Sequence, residues 1–480
     1  MTIEVTRRGI LRGSLGGAAG LLGGAMLPTA LVSGATLRIR RDIDSLAIDD
    51  PMILTYATAV RYLRSLPTGD RRNWDRLSNI HSNLCPHQNW YLLPWHREYL
   101  LALERIIRRL PPGAVPGAAN FIMPYWDWAR NPRLPAAVSR PTLLDGTANP
   151  LYERTRAPTA TATIPAELVG SGAMRRAYAP TAFESFGSAR PYGQANTQSW
   201  WQWEGSTQGP LEATPHNGVH NWIGGKMVTM TSPRDPLFFL HHANVDRIWA
   251  SWNAHGHANS NATNWLNFTF ARNFPRPDGS LYDVKVRDIG MTGYGYDRLD
   301  PRPAAAKAAS SPAMASFTLR ATDVAALAAA ATDPLAAGNG AVTRQIRLAS
   351  RRVLPSRAVL RILNLTVPQD LLSKLVRVFV NHPAANRDPA PEGPFYVGTL
   401  AFFGGAGRAD VQAPFEPSDI CTTRGNCFSF ELPLDDLLER WRAESLPLAG
   451  TLTIQLVPIE PGNRLAKDRL QPAAIEVTFF

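Results

Sequence analysis

The chain holds ten histidines, and seven of them fall in two short windows, residues 81–96 and 216–242. In the first, His81 is followed by Cys85-Pro86-His87 and then by Leu93-Pro94-Trp95-His96-Arg97-Glu98-Tyr99. The second opens with Pro215-His216-Asn217-Gly218-Val219-His220-Asn221-Trp222. It continues as Asp235-Pro236-Leu237-Phe238-Phe239-Leu240-His241-His242-Ala243-Asn244-Val245-Asp246-Arg247-Ile248-Trp249. A lone histidine on an apolar stripe is usually a packed core residue, but three in so short a window point to metal ligation. Which metal follows from what accompanies the imidazoles. Neither window carries the Glu-x-x-His pairing of di-iron bundles, and no carboxylate is placed to bridge a hydrolytic zinc pair. Neutral imidazoles alone suit copper, which binds nitrogen donors tightly and cycles between two oxidation states.

The elements that must hold these rings are legible in the spacing. His216 and His220 stand at i and i+4, which on a helix projects both to one side. Leu100, Leu103 and Ile107 follow His96 at i+4, i+7 and i+11, so His96 shares the buried stripe of its helix. Asp235 and Pro236 read as N-cap and first residue of another helix, with Val245 and Trp249 on the face of His242. Helical spacing alone does not separate His241 from His242. Two helix pairs, each offering three imidazoles, predict a four-helix bundle with a dinuclear metal site between its faces.

The 480 residues, 45% hydrophobic, exclude a disordered chain and leave room for two or three domains. A net charge of +11 permits nucleic-acid binding, but the basic residues are scattered and not interleaved with aromatics, so no nucleic-acid partner is expected. At the amino terminus Thr6-Arg7-Arg8-Gly9-Ile10-Leu11-Arg12 precedes a Gly-rich apolar run ending near Ser33-Gly34-Ala35. Residues 1–35 thus resemble a twin-arginine export signal, implying the twin-arginine machinery as partner and a periplasmic or secreted protein. Residues 36–299 read as a mainly α catalytic domain with long loops, of which Asn131 to Ser199 shows little periodicity. Residues 300–342 read as an Ala/Pro-rich linker, and β-branched runs over 343–480 as a C-terminal antiparallel β-sandwich. In an exported protein Cys421 and Cys427 read as a disulfide. His255, His257 and His382 read as surface or structural groups.

The two windows, with Pro124-Tyr125-Trp126-Asp127-Trp128, Val284-Lys285-Val286-Arg287-Asp288 and Tyr294-Gly295-Tyr296, resemble the type 3 copper proteins, most closely the polyphenol oxidases and tyrosinases of plants and bacteria. The resemblance is clear over residues 38–300 and extends to the rest in arrangement only. It implies two copper ions per chain with O2 as co-substrate, one held by His81, His87 and His96, the other by His216, His220 and His242. It also favours His242 over His241. Cys85, two residues before His87, resembles the cysteine joined to a ligand ring by a thioether in fungal members. Glu212 and Asn217 resemble the pair proposed in the family to hold a water that deprotonates monophenols.

The implied function is oxidation of ortho-diphenols to ortho-quinones and ortho-hydroxylation of monophenols such as tyrosine, that is, tyrosinase activity. A catechol oxidase without monophenolase activity is the alternative, and a hemocyanin-like oxygen carrier or a zinc hydrolase follows at a distance. The β-domain resembles the shielding domain of latent members, with the linker as a site for an activating protease and the Phe402-Phe403-Gly404-Gly405 loop as a source of a side chain in the substrate position. Residues 226–232 lack the Phe that plant members often place over the entrance, so a more open mouth is expected.

Overall fold

The computed structural model describes residues 37–191, 207–303, 317–321, 342–347, 357–368, 371–372, 374–385, 390–403, 427–446, 451–460, 464–465 and 470–480. The export signal, most of the linker, Gly404, Gly405 and Cys421 lie outside these residues. Among them no helix is long and apolar enough to cross a membrane.

The amino-terminal half is helical. Asp50 accepts from Met52 N and, with Pro51 at the first position, starts α1 (Pro51–Ser65), and Asn73 caps α2 (Trp74–Leu84). His87 lies in the loop before α3 (Leu92–Ile107). Among its described residues, the stretch read as aperiodic holds four short helices, α4 (Ala136–Ser139), α5 (Ala166–Val169), α6 (Ser171–Tyr178) and α7 (Phe183–Phe186). Their brevity is why no period shows. A π-helical turn over Glu212–His216, around Pro215, runs into α8 (Asn217–Ile223). The last ligand helix, α9 (Leu237–Ala254), begins one residue after Pro236, yet Asp235 Oδ1 accepts from Leu237 N at 2.9 Å and caps it as the sequence suggests. A short α10 (Thr263–Asn267) precedes the hairpin of β3 (Thr269–Pro275) and β4 (Leu281–Lys285).

Helices α3 and α9 are tied through a buried charge network. Asp246, four residues after His242, accepts from Arg97 at 2.6 Å and Arg40 at 2.9 Å, and from the hydroxyls of Tyr294 at 2.7 Å and Tyr296 at 2.5 Å. Arg40 also pairs with Glu104, and Arg97 lies 3.5 Å over the Trp249 ring. Burial pushes the Asp246 carboxyl up, but Arg97 and Arg40 outweigh it and hold it below the usual range. Parallel pairing of β1 (Arg38–Arg40) with β5 (Tyr294–Tyr296) delivers Arg40 and both tyrosines, which gives the Tyr-x-Tyr its structural purpose.

The carboxy-terminal half is β-rich. One five-stranded sheet runs β10-β9-β12-β13, with β7 also on β12, and another runs β2-β11-β8-β14-β6. The strands are β2 (Thr207–Gln208), β6 (Phe317–Ala321), β7 (Val342–Arg347), β8 (Ala358–Thr366), β9 (Leu375–Val380), β10 (Tyr396–Ala401), β11 (Cys427–Pro433), β12 (Thr451–Glu460), β13 (Arg464–Leu465) and β14 (Ala474–Phe479). Helix α11 (Asp435–Ala443) packs Leu437, Leu438 and Trp441 into their shared core. Strand β6 falls inside the stretch read as linker, recruited by antiparallel pairing with β14. Strand β2 belongs by sequence to the helical half but pairs, in parallel, with β11. Cys427, at the start of β11, is disulfide-bonded.

Candidate metal centre

Two groups of buried side chains lie at the junction of α2, α3, α8 and α9: His81, Cys85, His87 and His96 in one, and His216, His220, His241 and His242 in the other. Within each group one donor atom per residue falls within 4.8 Å of the rest. No carboxylate joins either group among the described residues. The groups adjoin, with the His96 and His242 rings stacked at 4.0 Å and the His87 and His216 rings 5.8 Å apart.

The outer ring nitrogens are fixed by acceptors. His81 Nδ1 meets Met230 O at 2.7 Å, His96 Nδ1 meets Leu92 O at 2.8 Å, and His220 Nδ1 meets Met227 O at 2.8 Å. His216 Nδ1 meets Asn217 Oδ1 at 2.8 Å. A carbonyl can only accept, so each Nδ1 facing one carries the proton and leaves a lone pair on Nε2. Asn217 Nδ2 donates to two oxygens, Gln208 Oε1 and Ala401 O, which forces its Oδ1 toward His216 and fixes that ring in the same tautomer. The Nε2 atoms of His81 and His216 are buried with no partner among the described residues, and those of His220 and His242 face each other at 3.3 Å. Such inward, unsatisfied lone pairs are the arrangement a metal ion would complete. Burial drives His81 down to about 3 and His216 to about 4, so the rings are neutral donors at pH 7.

His241 differs. Trp128 Nε1 donates to its Nδ1 over 3.2 Å. Residues 226–232, noted in the sequence only for lacking an aromatic ring, supply the carbonyls that orient His81 and His220.

Cys85 Sγ is buried, 3.5 Å from His87 Nδ1 and 3.4 Å from His96 Nε2. Glu212 is buried; its Oε1 accepts from Gln88 N at 2.6 Å and its Oε2 from Ser188 Oγ at 2.5 Å. Gln88 and Ser188 both hold left-handed backbone, at φ 61° and 72°, so Glu212 pins the strained loop that carries His87. His255 Nε2 meets Asp300 O, His257 stacks on Trp252, and His382 packs on Phe379 and Phe395. None of these three belongs to either group.

An aromatic ring from the β-rich half lies against the histidines. Phe403, 5% exposed, lies 4.2 Å from the His220 ring, 4.9 Å from His87 and 5.8 Å from His216. Phe238 of α9 packs 4.2 Å from His242. The Phe403 segment is tied down by its backbone, with Thr214 Oγ1 donating to Thr399 O, Asn217 to Ala401 O and Asn221 to Phe402 O. Gln208 and Ser188 were not singled out from sequence, and only folding brings them to the site, whereas Trp128 and Phe238 stand in quoted motifs with no role assigned.

Residues 71–255 match the common central domain of tyrosinase. The chain is 28% identical over 287 residues to the latent form of a chloroplastic polyphenol oxidase from Prunus armeniaca, covering 50% of this chain and 45% of that protein. It is 34% identical over 186 residues to a tyrosinase from Streptomyces lincolnensis, covering 35% of this chain and 63% of that one. The chain spans about half the length of the plant relatives it matches. Its fold is similar to that of a latent apple tyrosinase, with a TM-score of 0.63 at 20% identity over 94% of this chain and 97% of the other.

Proposed function

From the match of residues 71–255 to the common central domain of tyrosinase, we propose that this chain is a dicopper phenol oxidase of the type 3 copper class, held latent by its β-rich half. The observation that carries this reading is the pair of adjoining groups in which His81, His96, His216 and His220 turn Nδ1 to an acceptor and keep an Nε2 lone pair, with no carboxylate in either group among the described residues. His81, His87 and His96 would hold one copper, and His216, His220 and His242 the other. Copper there would supply reversible O2 binding and two-electron oxidation of phenols. The helical core is read as a four-helix bundle around the pair and the two sheets as a sandwich, with the domain limits given above.

The chain's own residues then bind and orient the phenol. The position filled by the Phe403 ring, tilted against His87 and His220, is the one a substrate ring would take. A phenol with a pKa of about 10 keeps its proton at neutral pH and needs a base. Glu212 and Asn217 are assigned to hold the water that removes it. Undocking of the β-rich half would release Asn217 Nδ2 from Ala401 O, leaving one N–H turned toward the mouth. The Sγ contact with His87 supports a Cys85–His87 thioether, and Cys421 is assigned as the disulfide partner of Cys427. Export by the twin-arginine route and trimming by a protease in the linker complete the reading.

The test is O2 uptake by copper-loaded chain with tyrosine, tyramine and a catechol, before and after proteolysis in the linker. Catechol oxidation should appear on cleavage and vanish in His96→Ala and His242→Ala. Unchanged turnover in either variant would overturn the ligand assignment. Asn217→Gly should depress phenol hydroxylation far more than catechol oxidation. Equal loss of both would favour the second reading, a catechol oxidase.

A further inference from the structure

Trp128 and His241 are both buried at 0% exposure, and neither has a part in the copper assignment. The Trp128 Nε1–H points at His241 Nδ1 over 3.2 Å. An indole N–H only donates, so Nδ1 must offer its lone pair. That excludes the imidazolium, which has no acceptor, and leaves the neutral ring with its proton on Nε2. His241 is therefore the reverse of His81, His96, His216 and His220, whose protons sit on Nδ1. Its Nε2–H has no lone pair for a metal.

That N–H is also orphaned, being buried and meeting no acceptor among the described residues. Buried donors in native proteins are nearly always satisfied, so the missing acceptor calls for an account. The His241 ring lies 4.7 Å from that of His220, 5.1 Å from His242 and 5.4 Å from His216. With Nδ1 turned to Trp128, Nε2 is the nitrogen left to face them. Lone pairs and one N–H left unpartnered within a single cluster of rings are complementary to a cation with an anion beside it.

We infer that His241, its tautomer set by Trp128, is a hydrogen-bond donor to a small anion held beside the second copper. This rests on the dicopper reading above. It gives a function to the second Trp of Pro124-Tyr125-Trp126-Asp127-Trp128, and it explains why two adjacent histidines of α9 both turn into the site with different duties.

The test uses the copper-loaded full chain with azide as the probe, following its absorption on titration and counting copper by metal analysis. His241→Phe keeps the ring and removes the donor, His241→Gln restores an N–H, and Trp128→Phe leaves the ring without the contact that sets its tautomer. Each variant should retain both coppers. The azide Kd should rise about tenfold or more in His241→Phe and Trp128→Phe, as loss of a hydrogen bond to a charged group implies, and stay within about threefold of the parent in His241→Gln. Unchanged azide affinity in His241→Phe overturns the inference, and so does loss of one copper there, which would make His241 a ligand. If His241→Phe does not fold, Trp128→Phe decides alone, unchanged affinity again being fatal. Failure of the parent chain itself to hold two coppers would sink the dicopper reading instead, which keeps the two failures apart.

Discussion

At the scale of single residues, the histidines are sorted by what faces their second nitrogen. Four of them turn Nδ1 to an oxygen acceptor and keep Nε2 for a ligand, whereas His241 turns Nδ1 to an indole donor. Sequence spacing placed all of these rings near a common point, but the partner of Nδ1 is a long-range contact that no local pattern encodes. A pH dependence follows for the copper-free protein. Folded His81 and His216 titrate at about 3 and about 4 because burial disfavours their charged form, against about 6.5 in the unfolded chain. Between those values the unfolded state binds more protons than the native one, so stability rises with pH through that window and levels off above about pH 7. Urea midpoints of the copper-free protein should climb from pH 4.5 to pH 7. A midpoint that falls over this range would contradict the buried, neutral rings.

Among the elements, the α3 and α9 pair depends on Asp246, which gathers two arginines and two tyrosines from β1, α3 and β5. Removing one member of such a set leaves buried charge uncompensated. Asp246→Asn should therefore cost about 3–5 kcal/mol, read from denaturant unfolding. A loss within experimental error would mean that the helices are held by apolar packing alone. The loop after β10 acts at the same scale. Phe403→Gly should let the uncleaved chain oxidise a catechol, because the ring against His220 and His87 is what fills the mouth. Latency preserved in that variant would assign the block to another part of the interface. Residues 226–232 bring no ring to the site, and the ring against His220 comes from the 402–405 loop that the sequence offered as a source without choosing the residue.

Over the whole molecule, the β-rich half is fastened to the helical half by more than its covalent linker. Arg377 donates to both oxygens of Glu167, at 2.7 and 2.8 Å, and Thr399 Oγ1 adds a third bond at 2.5 Å. Strand β2 enters the sheet beside β11, while Phe403 joins the helical core and Ala213 the β core. Once the linker is cut, these contacts are what still resists undocking of the β-rich half. Glu167→Gln, which strips the buried guanidinium of its counter-charge, should loosen the docking and raise catechol turnover of the uncleaved chain severalfold, measured by O2 uptake. Unaltered turnover would place the fastening elsewhere. The sequence by itself determined the local chemistry: which histidines cluster, which of them share a helix face, where α9 is capped, and that strands follow the Ala-rich stretch. These are properties of spacing and side-chain type over a few residues, where periodicity is informative. Only the tertiary structure decided which nitrogen of each ring is turned inward, that Asp246 unites the two tyrosines with two arginines, and that Phe403 rather than a neighbour fills the mouth. Each of those depends on atoms brought together from distant segments by core burial, and the energy that selects them is not written in any one segment.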